Sequence, residues 1–323
     1  MSTAVPVTSQ SCSNSNSVAI SRANTMNVTL PFSKSSPVGI VAGWGRYPLV
    51  VAQRLKEEGV PLYIAAVRDH ADPELEKWCD RMEWFGVAKL GGHIRFFARH
   101  RVQRVALAGK LFKDKLLYGK GGWWRHLPDW QCIVSFYPHF VTRSRDTRDD
   151  SLLTDVCNAY LRRGIEIVPG TDFAPHLLVE EGVLTKRQPS FAEQKDIQFG
   201  WAIAKQMGTL DIGQGVTVLD QTVLAVEAVE GTDALITRTG TICPRGGFTL
   251  VKVAKPQQDP RFDLPTIGLR TLQLLHQAGG RCLAIEAGKT ILVEREEVLS
   301  FAAEKRIAIV AIRSPAVANE TTH

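Results

Sequence analysis

The stretch Val38-Gly-Ile-Val-Ala-Gly43-Trp-Gly45-Arg-Tyr-Pro48 decides the fold. Val38–Ala42 is a short apolar run of the kind that forms a buried strand, and it ends in Gly43-Trp44-Gly45. Pro48 then opens a helix to about Glu58, because a proline in the first turn gives up no helical hydrogen bond. Gly59 stops that helix, and Pro61–Val67 is a second apolar run. Strand, glycine turn, helix and strand make a βαβ unit, which requires parallel strands.

The same alternation continues outward. Arg104–Ala108 is expected as a strand, Ser151–Arg163 as a helix stopped by Gly164, and Ile165–Val168 as a strand ahead of Pro169-Gly170. Residues 171–190, with Pro175, Pro189 and mixed polarity, are expected to link two units. Beyond them Ile197–Met207 is helical in pattern, and Gly215–Leu219 and Thr222–Glu227 alternate as a β-pair around Asp220-Gln221. Phe248–Val253, Cys282–Ile285, Thr290–Val293 and Ile307–Ile312 are expected strands, with helices at Thr266–Gln277 and Glu294–Lys305. The expectation is an α/β protein of two α/β domains: a Rossmann-like parallel sheet over 37–170 and a second α/β domain over 191–313. Residues 1–36, rich in Ser, Thr and Asn, and 314–323 are expected as disordered extensions, with Met26 an alternative start.

Composition narrows the function. Hydrophobic residues make up 44% of the 323 and charged residues 22%, which excludes a mainly disordered chain. No apolar run approaches the roughly 20 residues of a membrane-spanning helix. The net charge of +6 favours anionic ligands but falls short of a dedicated nucleic-acid binder, so no nucleic acid is expected. Six scattered cysteines without a C-x-x-C pair fit neither a disulfide framework nor a zinc ribbon, and point to reduced cytosolic thiols. H-E-x-x-H, G-x-S-x-G and the P-loop pattern are all absent, which argues against a zinc protease, a serine hydrolase and P-loop chemistry.

Four constellations carry chemistry. Gly43 and Gly45 let the backbone approach a phosphate at a helix N-terminus, or simply shape a tight turn. Asp69 lies where a dinucleotide fold keeps its ribose acid, but Pro48 replaces the third glycine of that fingerprint. From Arg95 to Arg125 nine Lys or Arg stand against one acid, Asp114, with aromatic residues interleaved. That stretch is either a lipid-facing surface or a solvated basic helix with core aromatics. Asp149 and Asp150 could ligate a cation or orient an arginine, or cap the helix after them. The fourth joins Glu230-Gly231-Thr232-Asp233, then Lys252 and Lys255, then Asp259-Pro-Arg261-Phe-Asp263. Two acids in a loop bounded by Pro256 and Pro265 suit a hard cation such as Mg²⁺ or the activation of water; the alternative is a loop held by an Arg261 ion pair.

Several runs resemble a known family. Gly39–Pro48, Leu107-Ala-Gly-Lys110 and Asp149-Asp150-Ser-Leu-Leu153 look like the N-terminal domain of the LpxI-type UDP-2,3-diacylglucosamine pyrophosphatases. Asp211-Ile-Gly-Gln214, Val226–Ala234 and Lys255-Pro-Gln-Gln-Asp259-Pro-Arg-Phe-Asp263-Leu-Pro265 look like its C-terminal domain. The resemblance spans about Val38 to Ile312 in family order, and implies a cytosolic hydrolase of lipid A synthesis, peripheral at the inner membrane. It implies two α/β domains with the site in the cleft between them, and Mg²⁺ as cofactor. The products would be UMP and 2,3-diacylglucosamine 1-phosphate (lipid X), with water attacking the phosphorus on the sugar side.

Carried over, Asp259 is the first choice for the essential aspartate and Asp263 the second, both also as metal ligands, with Asp233 catalytic beside them. Gly43, Gly45, Lys110, Asp149, Asp150, Gln214, Glu230, Gly231, Thr232, Lys252 and Lys255 would bind the lipid-linked UDP-sugar. A homodimer would suit the family. The chain departs from the pattern in its first 36 residues and in Lys120–Arg125. The rival expectations are a nicotinamide-dependent oxidoreductase built on the Gly43/Gly45 turn and a non-enzymatic membrane-surface binding module.

Overall fold

A computed structural model describes residues 33–110, 129, 130, 132, 149–262 and 264–313, with 149–152 described for backbone alone. The N-terminal extension up to residue 32, Lys120–Arg125, Asp263 and the tail from 314 lie outside the described residues.

The first unit runs β1 (Val38–Ala42), α1 (Tyr47–Glu57), β2 (Leu62–Val67), β3 (Arg81–Phe85), α2 (Leu90–Arg99), β4 (Arg104–Ala108), α3 (Asp149–Leu161) and β5 (Glu166–Val168). The five strands form one sheet in the order β3-β2-β1-β4-β5, every pair parallel. Alternate residues of each strand enter different cores, as the two-residue period demands. Ile40, Ile64 and Ala106 pack with Leu49, Val51 and Leu55 of α1. Ala65, Val105 and Ile167 pack with Phe96 and Phe97 of α2 and Tyr160 of α3. Strand order reverses between β1 and β4, and ligands of such sheets bind outside the strand ends at that point.

The second unit contains β6 (Gly182–Val183), α4 (Phe191–Thr209), β7 (Gly215–Leu219), β8 (Thr222–Val226), α5 (Thr232–Ile242) and β9 (Thr249–Lys252). It continues with β10 (Thr266–Ile267), α6 (Leu269–Gln277), β11 (Cys282–Glu286), β12 (Ile291–Leu292), α7 (Arg295–Glu304) and β13 (Ala308–Ile312). Its main sheet is mixed, in the order β6-β13-β11-β9-β7-β8. Helices α5, α6 and α7 cover one core through Leu235, Leu272 and Val298; α4 covers another through Ile197, Trp201 and Ala204.

Residues 171–190 belong to both units. Phe173, Ala174 and Leu177 are in the core of the first, Val179 is in that of the second, and Gly182–Val183 pairs antiparallel with β13. In return Ile291 and Val293 enter the core of the first unit, and β12 pairs with β10 as a separate two-stranded sheet.

The helix expected from Thr266 starts instead at Leu269. Ile267 is fully buried and pairs with Leu292, so Thr266–Ile267 is a strand and Gly268 becomes the N-cap. Helix α4 begins six residues before the expected Ile197, at a capping box: the Ser190 side chain accepts from the Glu193 N–H, and the Glu193 carboxylate accepts from the Ser190 N–H at 2.7 Å. The basic stretch from Arg95 begins in α2, with Phe96 and Phe97 in the core and Arg95 and Arg99 exposed, and passes into β4 at Arg104. Strand β3 and helix α5 were not expected from the sequence, and α2 only as the solvated basic helix that was one of two readings of the stretch from Arg95.

Candidate functional site

A cleft of about 640 Å³ opens between the two units. On the first unit it lies over the ends of β1 and β4, lined by Gly45, Arg46, Tyr47 and Lys110. The two strand exits are stitched together: Gly43 N–H donates to Ala108 O at 2.7 Å, Trp44 N–H to Lys110 O at 2.9 Å, and Lys110 N–H to Trp44 O at 2.8 Å. This requires Gly43, since a Cβ there would sit 2.8 Å from the Lys110 carbonyl oxygen. Gly45 has a different reason. Its φ of +115° suits glycine, and a Cβ would meet nothing within 4 Å, so its open face is turned to free space.

Four helices begin at this cleft. Gly45–Tyr47 start α1, Asp233 is in the first turn of α5, Gly268–Arg270 start α6, and Glu294 precedes α7. None of the four has a side-chain N-cap, and α1 and α6 carry no acid in their first turn. The N-termini of α1 and α6 therefore reach the cleft without a side-chain cap or a first-turn acid, an arrangement that favours an anion, whereas α5 and α7 carry Asp233 and Glu296-Glu297 in their first turns.

Three arginines line the same space, each paired with a carboxylate. Arg46 Nε donates to Glu294 Oε1 at 2.7 Å, Arg270 Nε to Asp233 Oδ2 at 2.9 Å, and Arg261 Nη2 to Asp259 Oδ2 at 2.6 Å. The Arg261 guanidinium and main-chain N–H hold the Asp259 carboxyl below the usual carboxylate range, against a smaller upward push from burial. An acid held down in this way is a poor general base and a good anchor for its arginine. Phe262, Leu264, Leu269 and Val293 give the cleft an apolar wall.

The structure brings some of the expected residues to this cleft. Gly45, Lys110 and Asp233 line it; Gly43 lies in the backbone behind it; Asp259 fixes Arg261, which lines it. Gly231 caps α5 at φ +81°, and Glu230 is paired with Arg238 at 2.9 Å. Thr232 donates to Glu227 Oε1 at 2.6 Å and accepts from Lys252, which is buried 3.7 Å from Glu227. Lys255 pairs with Asp211 at 2.6 Å, and Gln214 Oε1 is buried without a partner among the described residues. Asp149 and Asp150 open α3, and Asp263 lies outside the described residues.

Sequence reasoning passed over Arg46, Arg270 and Glu294 as site residues. Each stands at a helix start, and basic residues at helix starts flanked by glycine (Gly45-Arg46 and Gly268-Leu-Arg270) are the signal that could have found the two arginines.

Two family models match the chain, and they divide it as the sheets do. The LpxI N-terminal domain matches residues 37–177, and the LpxI C-terminal domain residues 180–310. The UDP-2,3-diacylglucosamine pyrophosphatase LpxI of Caulobacter vibrioides is 29% identical over 278 residues, covering 82% of this chain and 93% of that protein. Both halves of one family thus follow in order across the two units that enclose the cleft, and the chain belongs to the LpxI family.

Proposed function

We propose that this chain is the hydrolase that splits the pyrophosphate of UDP-2,3-diacylglucosamine in lipid A synthesis, releasing UMP and lipid X. The observation that carries the reading is the meeting of the acid-free N-termini of α1 and α6 with three arginines on one cleft with an apolar wall. A diphosphate suits the first part, and a diacylated sugar the second.

In this reading water attacks the phosphorus on the sugar side. A new P–O bond forms to water, which gives up its proton to solvent, the bond from that phosphorus to the bridging oxygen breaks, and the bridging oxygen leaves on UMP. Arg261, Arg270 and the N–H groups of α1 and α6 stabilise the charge that develops on the phosphoryl oxygens. Asp259 stays ionised and fixes the fork of Arg261, and Asp233 accepts from Arg270 Nε and holds it in place. Lys110 adds charge from the other side.

The described donors do not fit a metal centre by themselves. Among the described residues no three His, Cys, Asp or Glu converge, and Asp259 and Asp233 each face an arginine. Dependence on Mg²⁺ follows from the family resemblance, and loss of turnover in EDTA with recovery on added Mg²⁺ is the check.

Among the described residues no helix is long and apolar enough to cross a membrane. Access to a lipid-linked substrate would come through transient contact at the cytoplasmic face of the inner membrane, by one chain or a homodimer. Asp259→Ala is expected to abolish turnover of UDP-2,3-diacylglucosamine while largely keeping substrate binding. Near-normal kcat would remove Asp259 from the mechanism, and no cleavage by the unaltered protein would overturn the function.

A further inference from the structure

We infer that Arg46 is a diphosphate-binding cation of the first unit, beside Lys110, and that Glu294 sets substrate affinity by competing for it. The inference rests on the proposed diphosphate substrate and gives Arg46, which lies inside the Gly39–Pro48 run, a role of its own.

Arg46 stands at the N-cap of α1, directly after Gly45, with half of its side chain exposed to the cleft. Its Nε donates to Glu294 Oε1 at 2.7 Å, and its Nη1 lies 3.9 Å from Glu74. Glu294 belongs to the other unit, 248 residues away in sequence, and also lines the cleft. Its backbone is left-handed, at φ 55° and ψ 52°, as at six other non-glycine positions among the described residues. It precedes α7, yet its carboxylate does not cap that helix; it reaches across the cleft to Arg46 instead.

An ion pair this exposed adds little to stability, whereas a guanidinium binds a phosphate through two parallel hydrogen bonds. A diphosphate placed over the start of α1 therefore displaces Glu294 and gains both the arginine and the helix N-terminus. Glu294 lowers affinity in proportion to its hold on Arg46. The competing explanation is a plain bridge between the two units.

Three variants separate the two, read by steady-state hydrolysis and by calorimetric titration with UDP. Arg46→Ala should raise KM and the Kd for UDP roughly tenfold, with kcat changed less than about threefold, as loss of ground-state binding predicts. Glu294→Gln should shift both constants the other way, about threefold tighter. The exchange Arg46→Glu with Glu294→Arg keeps a bridge but removes the cation from α1, and should bind as weakly as Arg46→Ala. A simple bridge predicts the reverse: both single variants weaken binding and the exchange restores it. UDP binding indifferent to Arg46→Ala overturns the inference even if hydrolysis proceeds. UDP binding that follows the expected order without hydrolysis overturns the proposed reaction and leaves the role of Arg46 standing.

Discussion

Asp259 and Arg261 stand two residues apart and act as one unit. The Asp259 carboxylate accepts from the Arg261 main-chain N–H at 2.9 Å, from Nε at 3.0 and 3.1 Å, and from Nη2 at 2.6 Å. Because the folded protein holds this acid below its ordinary value, its contribution to stability is complete above the unfolded pKa of about 3.9. It is lost as pH falls through the folded value. The difference in Tm between the unaltered protein and Asp259→Asn should stay flat from pH 8 to 5 and close below about pH 4. A difference that titrates between pH 6 and 8 would contradict the pairing. The proline-bounded loop and its Arg261 were legible in the sequence, because prolines mark the loop and the charges are adjacent. Lys252 was not: it ends β9, a strand between two neighbours and buried on both faces, so its ammonium turns inward to Glu227 and Thr232. Gly43 was legible as a special position, but the backbone it makes room for, at Lys110, is brought there by β4.

At the scale of elements, the loop that carries Asp259 is fastened from behind by α4. Lys205 donates to Glu286 Oε2 at 2.5 Å and to Ala254 O at 3.0 Å, while Glu286 accepts from the Ala254 N–H at 2.9 Å. Gln257 donates to Gly208 O at 3.1 Å. Burial pushes the Glu286 carboxyl up, but Lys205, the Ala254 N–H and Lys289 together hold it below its usual value. Lys205→Met leaves this buried carboxylate with Lys289 as its remaining cation, so a loss of about 3 kcal/mol in urea unfolding is expected, at the low end for a broken buried pair. A loss under about 0.5 kcal/mol, typical of an exposed pair, would contradict the anchor. Helix α4 was only partly legible, because its first turn is polar and is specified by the Ser190–Glu193 capping box rather than by an apolar stripe. Helix α2 was legible only in its basic second half, because Gly91-Gly92 hide its first turn, and α5 was hidden by its four threonines and Gly240, all residues of low helix propensity that burial overrides.

Over the whole molecule, the parallel sheet of the first unit followed from one glycine-punctuated βαβ unit, and the second α/β unit from its alternating strands and helices. The cleft was expected from the family resemblance alone, because four helix starts separated by up to 248 residues meet there through tertiary packing that no local pattern encodes. The same interleaving couples the units mechanically. Ile291 and Val293 complete the core of the first unit, while Val179 completes that of the second. Scanning calorimetry should therefore show one cooperative transition, with calorimetric and van't Hoff enthalpies in agreement; two resolved transitions would mean that the units fold independently. The most direct test of the central claim is turnover of UDP-2,3-diacylglucosamine with Mg²⁺ in ¹⁸O water. The account predicts UMP without label and lipid X carrying one ¹⁸O on its phosphate. Label in UMP would contradict the site of attack, and no cleavage at all would contradict the hydrolase itself.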